Sequence, residues 1–285
     1  MSLAISGASG AFGRAAAEYL LHHTDPGQVV LTTRRPGALS DLADRGADVR
    51  HADFNDPASL DAAFRGVERL LLISIDTIGD RVAQHRAAIT AAAAQGVGHV
   101  VYTSVPEPVP GNPALVVPDH ADTEQALRDS PMTWTFLRNN LYAHLQAGSI
   151  AQAAATGHLV TNGGAGAAAY VSREDCAAGA GAVLAQGGHE NRAYDVTGPQ
   201  ALTADDLAAL ATRRSGREVE VVHLDDDAYT AALREAGLPE PVAHLLATFG
   251  AATRGGYLST VTPVVADLTG RGPTALAELL DGTAS

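Results

Sequence analysis

From Leu3 to Leu137 the chain alternates short runs rich in Val, Ile and Leu with longer, alanine-rich stretches of mixed polarity. The short runs read as strands at Leu3–Ser6, Val29–Thr33, Asp48–His51, Leu70–Ile75, His99–Thr103 and Thr133–Leu137. Between them, apolar spacing predicts helices at Phe12–His22, Leu39–Ala43, Ala58–Phe64, Arg81–Ala94 and His120–Arg128. Asp56-Pro57 adds a start signal, an N-cap carboxylate followed by proline where a missing N–H costs nothing. Alternation of this kind predicts βαβ units, and right-handed crossovers leave a Rossmann-type, doubly wound parallel α/β sheet as the expected fold.

After Leu137 the rhythm changes. A Gly- and Ala-rich stretch from Ala153 to Ala169 interrupts it, with a turn at Gly163-Gly164. Ser172-Arg173-Glu174-Asp175 resembles a capping box opening a helix to about Leu184, and Thr203-Ala204-Asp205-Asp206 resembles another. A strand at Arg217–His223 and helices at Tyr229–Glu235, Pro241–Phe249 and Thr274–Leu280 complete the pattern. The expected division is a first domain over residues 1–140 and a smaller, mostly helical part over 141–285, some of whose segments return to the first sheet.

Composition narrows the chemistry. All 19 basic side chains are arginine; the chain has no lysine. Schiff-base mechanisms and a lysine-bearing phosphate loop are therefore excluded. A net charge of −13 opposes binding to nucleic acid. The single Cys176 allows no internal disulfide and points to a reducing compartment. No run of 18 apolar residues and no signal peptide is visible, so a cytoplasmic protein that binds no membrane is expected. The histidines show no metal-ligand spacing, and Asp225-Asp226-Asp227 lacks EF-hand spacing and reads as a solvated helix start; no metal is expected.

Gly7-Ala8-Ser9-Gly10-Ala11-Phe12-Gly13 follows the first strand and opens the first helix. In that context Gly7 permits the bend, Gly10 lets backbone approach a pyrophosphate, and Gly13 lets helix pack on strand. The helix N-terminus then offers free N–H groups to the phosphates. The second strand ends in Arg34-Arg35 where an NAD-preferring site carries an acid. Either this pair grips a 2′-phosphate, favouring NADPH over NADH, or it is a solvated surface pair. Asp53-Phe54 is placed to flank an adenine, and Ser74-Ile75 to pass the nicotinamide ribose.

These residues, with Leu70–Ser74, Gln84-His85-Arg86, Tyr102-Thr103-Ser104, His120 with Thr123-Glu124, Leu137-Arg138-Asn139, Ser172–Asp175, Gly188-His189-Glu190, Leu202-Thr203 and Gly255-Gly256, resemble the NmrA-like atypical short-chain dehydrogenases, in particular their quinone oxidoreductase branch. The resemblance implies a nucleotide-binding domain, a substrate-binding part, NADPH between them, no flavin, and hydride transfer to a quinone or related conjugated carbonyl. A polycyclic aromatic polyketide quinone, whose hydroquinone then reacts with oxygen to give apparent monooxygenase activity, is a variant of that reading. The alternative is a non-catalytic NADP(H)-sensing regulator acting through a protein partner; homodimers are common in such folds.

Within this resemblance Thr103 joins the cofactor-binding residues, and Tyr102, His120 and Asn139 become candidate catalytic groups. Tyr102 is followed four residues later by Pro106, not by the lysine of ordinary short-chain dehydrogenases, so it is either an acid or a core residue. His120 stands where isoflavone-reductase-like relatives carry a lysine, and either delivers a proton or positions its helix. Arg138, Asn139 and Asn140 follow the sixth strand at its carboxyl end, where crevices of open sheets form. Arg138 contacts the cofactor or else pairs with an acid. Asn140, Tyr142, Gln84 and His85 are candidate substrate contacts.

Overall fold

In the computed structural model, which describes residues 1–75 and 79–282, the core is a parallel sheet of seven strands. They are β1 (Leu3–Ile5), β2 (Val29–Thr33), β3 (Asp48–His51), β4 (Arg69–Leu72), β5 (His99–Ser104), β6 (Thr133–Asn139) and, further along the chain, β9 (Arg192–Val196). Their order is β3-β2-β1-β4-β5-β6-β9, reversing between β1 and β4. The inner strands are buried on both faces, so they read as continuous apolar runs. Alternation sorts their side chains: Leu3, Ile5, Leu71 and Val101 point to one face, and Ala4, Leu70, Leu72 and Tyr102 to the other.

On the first face lie α1 (Ala11–His23) and α7 (Arg173–Ala185). On the second lie α3 (Pro57–Ala63), α4 (Arg81–Ala94) and α5 (Val117–Arg128); the short α2 (Ser40–Asp44) links β2 to β3. Asp56 caps α3, its Oδ1 accepting from the Ala58 N–H at 3.1 Å. Ser172 caps α7 in the same way, accepting from Asp175 N–H at 2.9 Å. Ten residues of α7 are buried, because it lies between α1 and α11 (Val264–Thr269). Gly181 allows this close approach, since a Cβ there would lie 2.5 Å from the Tyr19 ring.

A third core joins α6 (His144–Thr156), α8 (Ala204–Ser215), α10 (Glu240–Arg254) and α12 (Leu276–Gly282). Two short pairs accompany it: β7 (His158–Thr161) with β11 (Glu220–His223), and β8 (Ala167–Ala168) with β10 (Leu202–Thr203). Thr203 and Asp206 form a reciprocal capping box on α8. Asp225 caps α9 (Asp226–Glu235), while Asp226 forms a two-bond ion pair with Arg254. The aspartate triplet thus starts a helix and ties it to α10. Among the described residues no metal-binding cluster occurs, and no helix is long and apolar enough to cross a membrane.

Candidate active site

A cleft of about 880 Å³ opens along the carboxyl ends of the strands, where the strand order reverses. Its floor is the turn between β1 and α1. Gly7 adopts a left-handed backbone (φ +62°), and a Cβ on Gly13 would lie 2.5 Å from the Gly7 carbonyl oxygen. The first turn of α1 carries no acid, and Gly10 at its N-cap offers no capping side chain. The free N–H groups and positive end of the helix therefore face the cleft without a competing anion from that turn. Ser9 ties this turn to β2 through a 2.7 Å hydrogen bond between its hydroxyl and that of Thr33.

Ser9, Gly10, Ala11 and Phe12 line the cleft together with Arg34, Arg35, Asp53 and Phe54. Neither Arg34 nor Arg35 has an ion pair among the described residues. Ser74, Ile75 and Thr103 line it further along, the Ser74 N–H donating to the Thr103 hydroxyl at 2.8 Å. Gln84 reaches the wall and donates to Asn55 Oδ1 at 2.8 Å. Tyr142 also lies on the wall, stacked on His144. Asn140 is there too, but its amide donates to the Leu258 carbonyl at 3.0 Å and so binds the two halves of the fold together.

Asn139 is the exception among these polar groups. It is 7% exposed and lines the cleft, yet neither its Nδ2 nor its Oδ1 has a hydrogen-bond partner. An orphaned buried amide costs about 1–3 kcal/mol, and on the cleft wall it leaves a donor and an acceptor to offer a ligand. With the glycine cradle and two unpaired arginines, it makes the cleft a fit for a phosphorylated dinucleotide.

Three expected residues lie outside the cleft wall. Tyr102 points into the core between sheet and α5, fully buried, and burial raises its phenol well above the ordinary range. Its hydroxyl meets His120 Nδ1 at 2.8 Å. Arg138 grips Glu124 with two bonds, Nε to Oε1 at 3.0 Å and Nη2 to Oε2 at 2.8 Å, while Glu124 also accepts from Ser104 and Arg128. It is therefore an ion-pair residue of the β6–α5 contact. His85 is buried; its Nε2 accepts from the Ile75 N–H at 3.3 Å, and its Nδ1 meets the Thr123 hydroxyl at 3.0 Å. Burial, with the Arg81 guanidinium, lowers its pKa to about 3.

His120 does line the cleft. Burial, then the Arg81 guanidinium and the His85 ring, hold its pKa well below the ordinary value, so at neutral pH the imidazole is uncharged. His120 is thus a neutral ring bonded to Tyr102, not the imidazolium expected from its residue type. Sequence reasoning passed over Arg81, Asn112, Arg173, Leu245, Phe249 and Leu258, all on the wall. Arg81 is held by the Ile75 carbonyl at 2.7 Å and by Asp119 at 3.4 Å. Its place at the first position of α4 was a legible signal; the apolar residues from α10 onward had none.

The NAD(P)H-binding family matches residues 7–187. Quinone oxidoreductase 2 of Escherichia coli is 37% identical over 276 residues, covering 97% of this chain and 96% of that protein. A crystal structure of an Escherichia coli NADPH-dependent quinone oxidoreductase complexed with NADPH superposes with a TM-score of 0.94, at 36% identity over 99% of both chains. The (4-alkanoyl-5-oxo-2,5-dihydrofuran-3-yl)methyl phosphate reductase of Streptomyces griseus is 36% identical over 273 residues, 94% of this chain and 92% of that one. With the glycine turn, the strand order and the cleft in place, the chain belongs to the NmrA-like family of NAD(P)H-binding oxidoreductases.

Proposed function

We propose that this protein is an NADPH-dependent, flavin-independent reductase that passes hydride to a quinone or a related conjugated carbonyl. The observation that carries this reading is the joining of a dinucleotide cradle to a buried, neutral histidine in one cleft. Neither His120, held uncharged, nor Tyr102, whose phenol is pushed up by burial, is a proton donor poised near neutral pH. An ordinary ketone needs such an acid for its developing alkoxide. A quinone leaves a much weaker base, for which hydrogen bonds and water suffice.

The α1 N-terminus and the Gly7–Gly13 turn would hold the pyrophosphate, and Arg34 and Arg35 the 2′-phosphate. Bound there, NADPH supplies the hydride. With the Tyr102 hydroxyl donating to His120 Nδ1, His120 Nε2–H and the Asn139 amide would donate to the acceptor oxygen as charge develops on it, and water would supply the two-electron product with its proton. The names of the Escherichia coli and Streptomyces griseus relatives support an acceptor with a conjugated carbonyl. A polycyclic aromatic polyketide quinone belongs to the same class; its hydroquinone would pass two electrons and two protons to dioxygen.

The test is NADPH oxidation by the purified protein with benzoquinone and naphthoquinone acceptors. Steady oxidation with equimolar hydroquinone formed is the expected result. Tight NADPH binding without turnover on either quinone would overturn it and leave the NADP(H)-sensing regulator in its place.

A further inference from the structure

A second cavity of about 370 Å³ lies within the C-terminal part of the fold and shares Leu141, Leu145 and Phe249 with the cofactor cleft. Its size is in the range of small-molecule sites. Leu145, at the shared boundary, is 57% exposed. One wall is supplied by α9 and its C-cap residue: Tyr229, Ala232, Leu233 and Ala236 all line the cavity. These positions follow i, i+3, i+4, i+7, the stripe that an amphipathic helix normally buries against a core. Yet no residue of α9 is buried. The helix packs on α10 and is fixed to it by the Asp226–Arg254 ion pair, and its apolar stripe, half-buried at Tyr229, Ala232 and Leu233, borders the cavity. Tyr170, 7% exposed, also lines the cavity.

We propose that this cavity is an acceptor subsite, which takes an apolar arm carried by the conjugated carbonyl while the carbonyl ring stays in the cofactor cleft. The inference rests on the reductase reading. Three observations commit the cavity to that occupant. It adjoins the cleft across Leu141, Leu145 and Phe249; its lining is more apolar than polar, with leucines and alanines beside a polar margin that includes Gln146, Gln152 and Asn162; and an arm lying there would cover the α9 stripe. Small quinones would use the cleft alone.

The experiment compares two acceptors with the same dimethoxy-methyl-benzoquinone ring, one without a side chain and one with a decyl chain. Each fully buried methylene contributes roughly fourfold in affinity, so the decyl acceptor is expected to show a KM at least about tenfold lower. In Ala232→Phe, which fills the cavity from α9, the ratio of the two KM values should fall towards one. A general preference for greasy substrates would leave that ratio unchanged, and this result would overturn the subsite. Hydrogen exchange supplies a readout without turnover. With NADP+ present, the decyl quinone should slow exchange of the α9 amides and the chainless quinone should not; equal exchange with both also overturns the inference. Failure of the chainless quinone to be reduced at all would instead count against the reductase reading, and the exchange measurement would still decide the subsite.

Discussion

Arg34 and Arg35 stand at the end of β2 without an ion pair among the described residues, which leaves both guanidiniums available to a phosphate. Replacing both by alanine is expected to raise the KM for NADPH about 10–100-fold and leave that for NADH within about twofold, since each charge-assisted bond is worth about 1.5–3 kcal/mol. Equal losses for both cofactors would show that the pair does not read the 2′-phosphate. Asn139 carries the opposite balance: its unpartnered amide costs stability, and under the proposed reading that cost is kept for binding. In Asn139→Leu the ligand-free protein should melt higher, by about 2–4 °C for each kcal/mol of relieved desolvation, while the acceptor KM rises. A Tm unchanged or lowered would mean the amide is not an orphan in solution. At this scale the sequence announced residue types well and partners poorly. Arg138 and Asn139 are neighbours on β6, yet one meets Glu124 and the other nothing.

The β1–α1 turn shows how tightly one element can depend on a single position. A Cβ at Gly13 would meet two backbone atoms, the Gly7 oxygen at 2.5 Å and the Ala8 Cα at 2.7 Å, and neither can swing aside. Gly13→Ala is expected to cost about 1–3 kcal/mol of stability and to weaken NADPH binding at least about tenfold. Gly148, inside α6 with nothing within 4 Å, is the control: alanine there should stabilise the fold by up to about 1 kcal/mol. These outcomes are read by thermal melts and cofactor titration. The inner strands were legible because burial on both faces makes them apolar throughout. β9 was not, since an edge strand with Arg192 exposed and Asp195 half-buried has neither an apolar run nor a clean alternation. α7 was found from its Ser172 cap; the apolar period is weak in a helix buried nearly all round.

For the molecule as a whole, several buried histidines set the response to acid. Burial, the largest cause in each case, lowers the pKa of His85 to about 3 and of His99 to about 4, and pulls His120 well down, from an ordinary 6.5. Above pH 6.5 these rings are neutral folded or unfolded; below it the unfolded chain gains protons that the folded one refuses. Stability is therefore expected to be whole above pH 6.5 and to fall as the pH drops from there towards 3–4, with a shallower decline in His85→Asn. Melts across that window check the sign, and a flat profile would show that these rings are not held neutral. The sequence by itself determined the parallel sheet, the dinucleotide turn, the arginine pair after β2 and the absence of lysine chemistry. Each rests on residue type and short-range spacing. Only the tertiary structure decided that Tyr102 faces the core, that Arg138 belongs to Glu124, and that His120 is uncharged. It alone also placed α9 over a second cavity. These depend on which remote side chains share a dry volume, and local pattern carries no record of that.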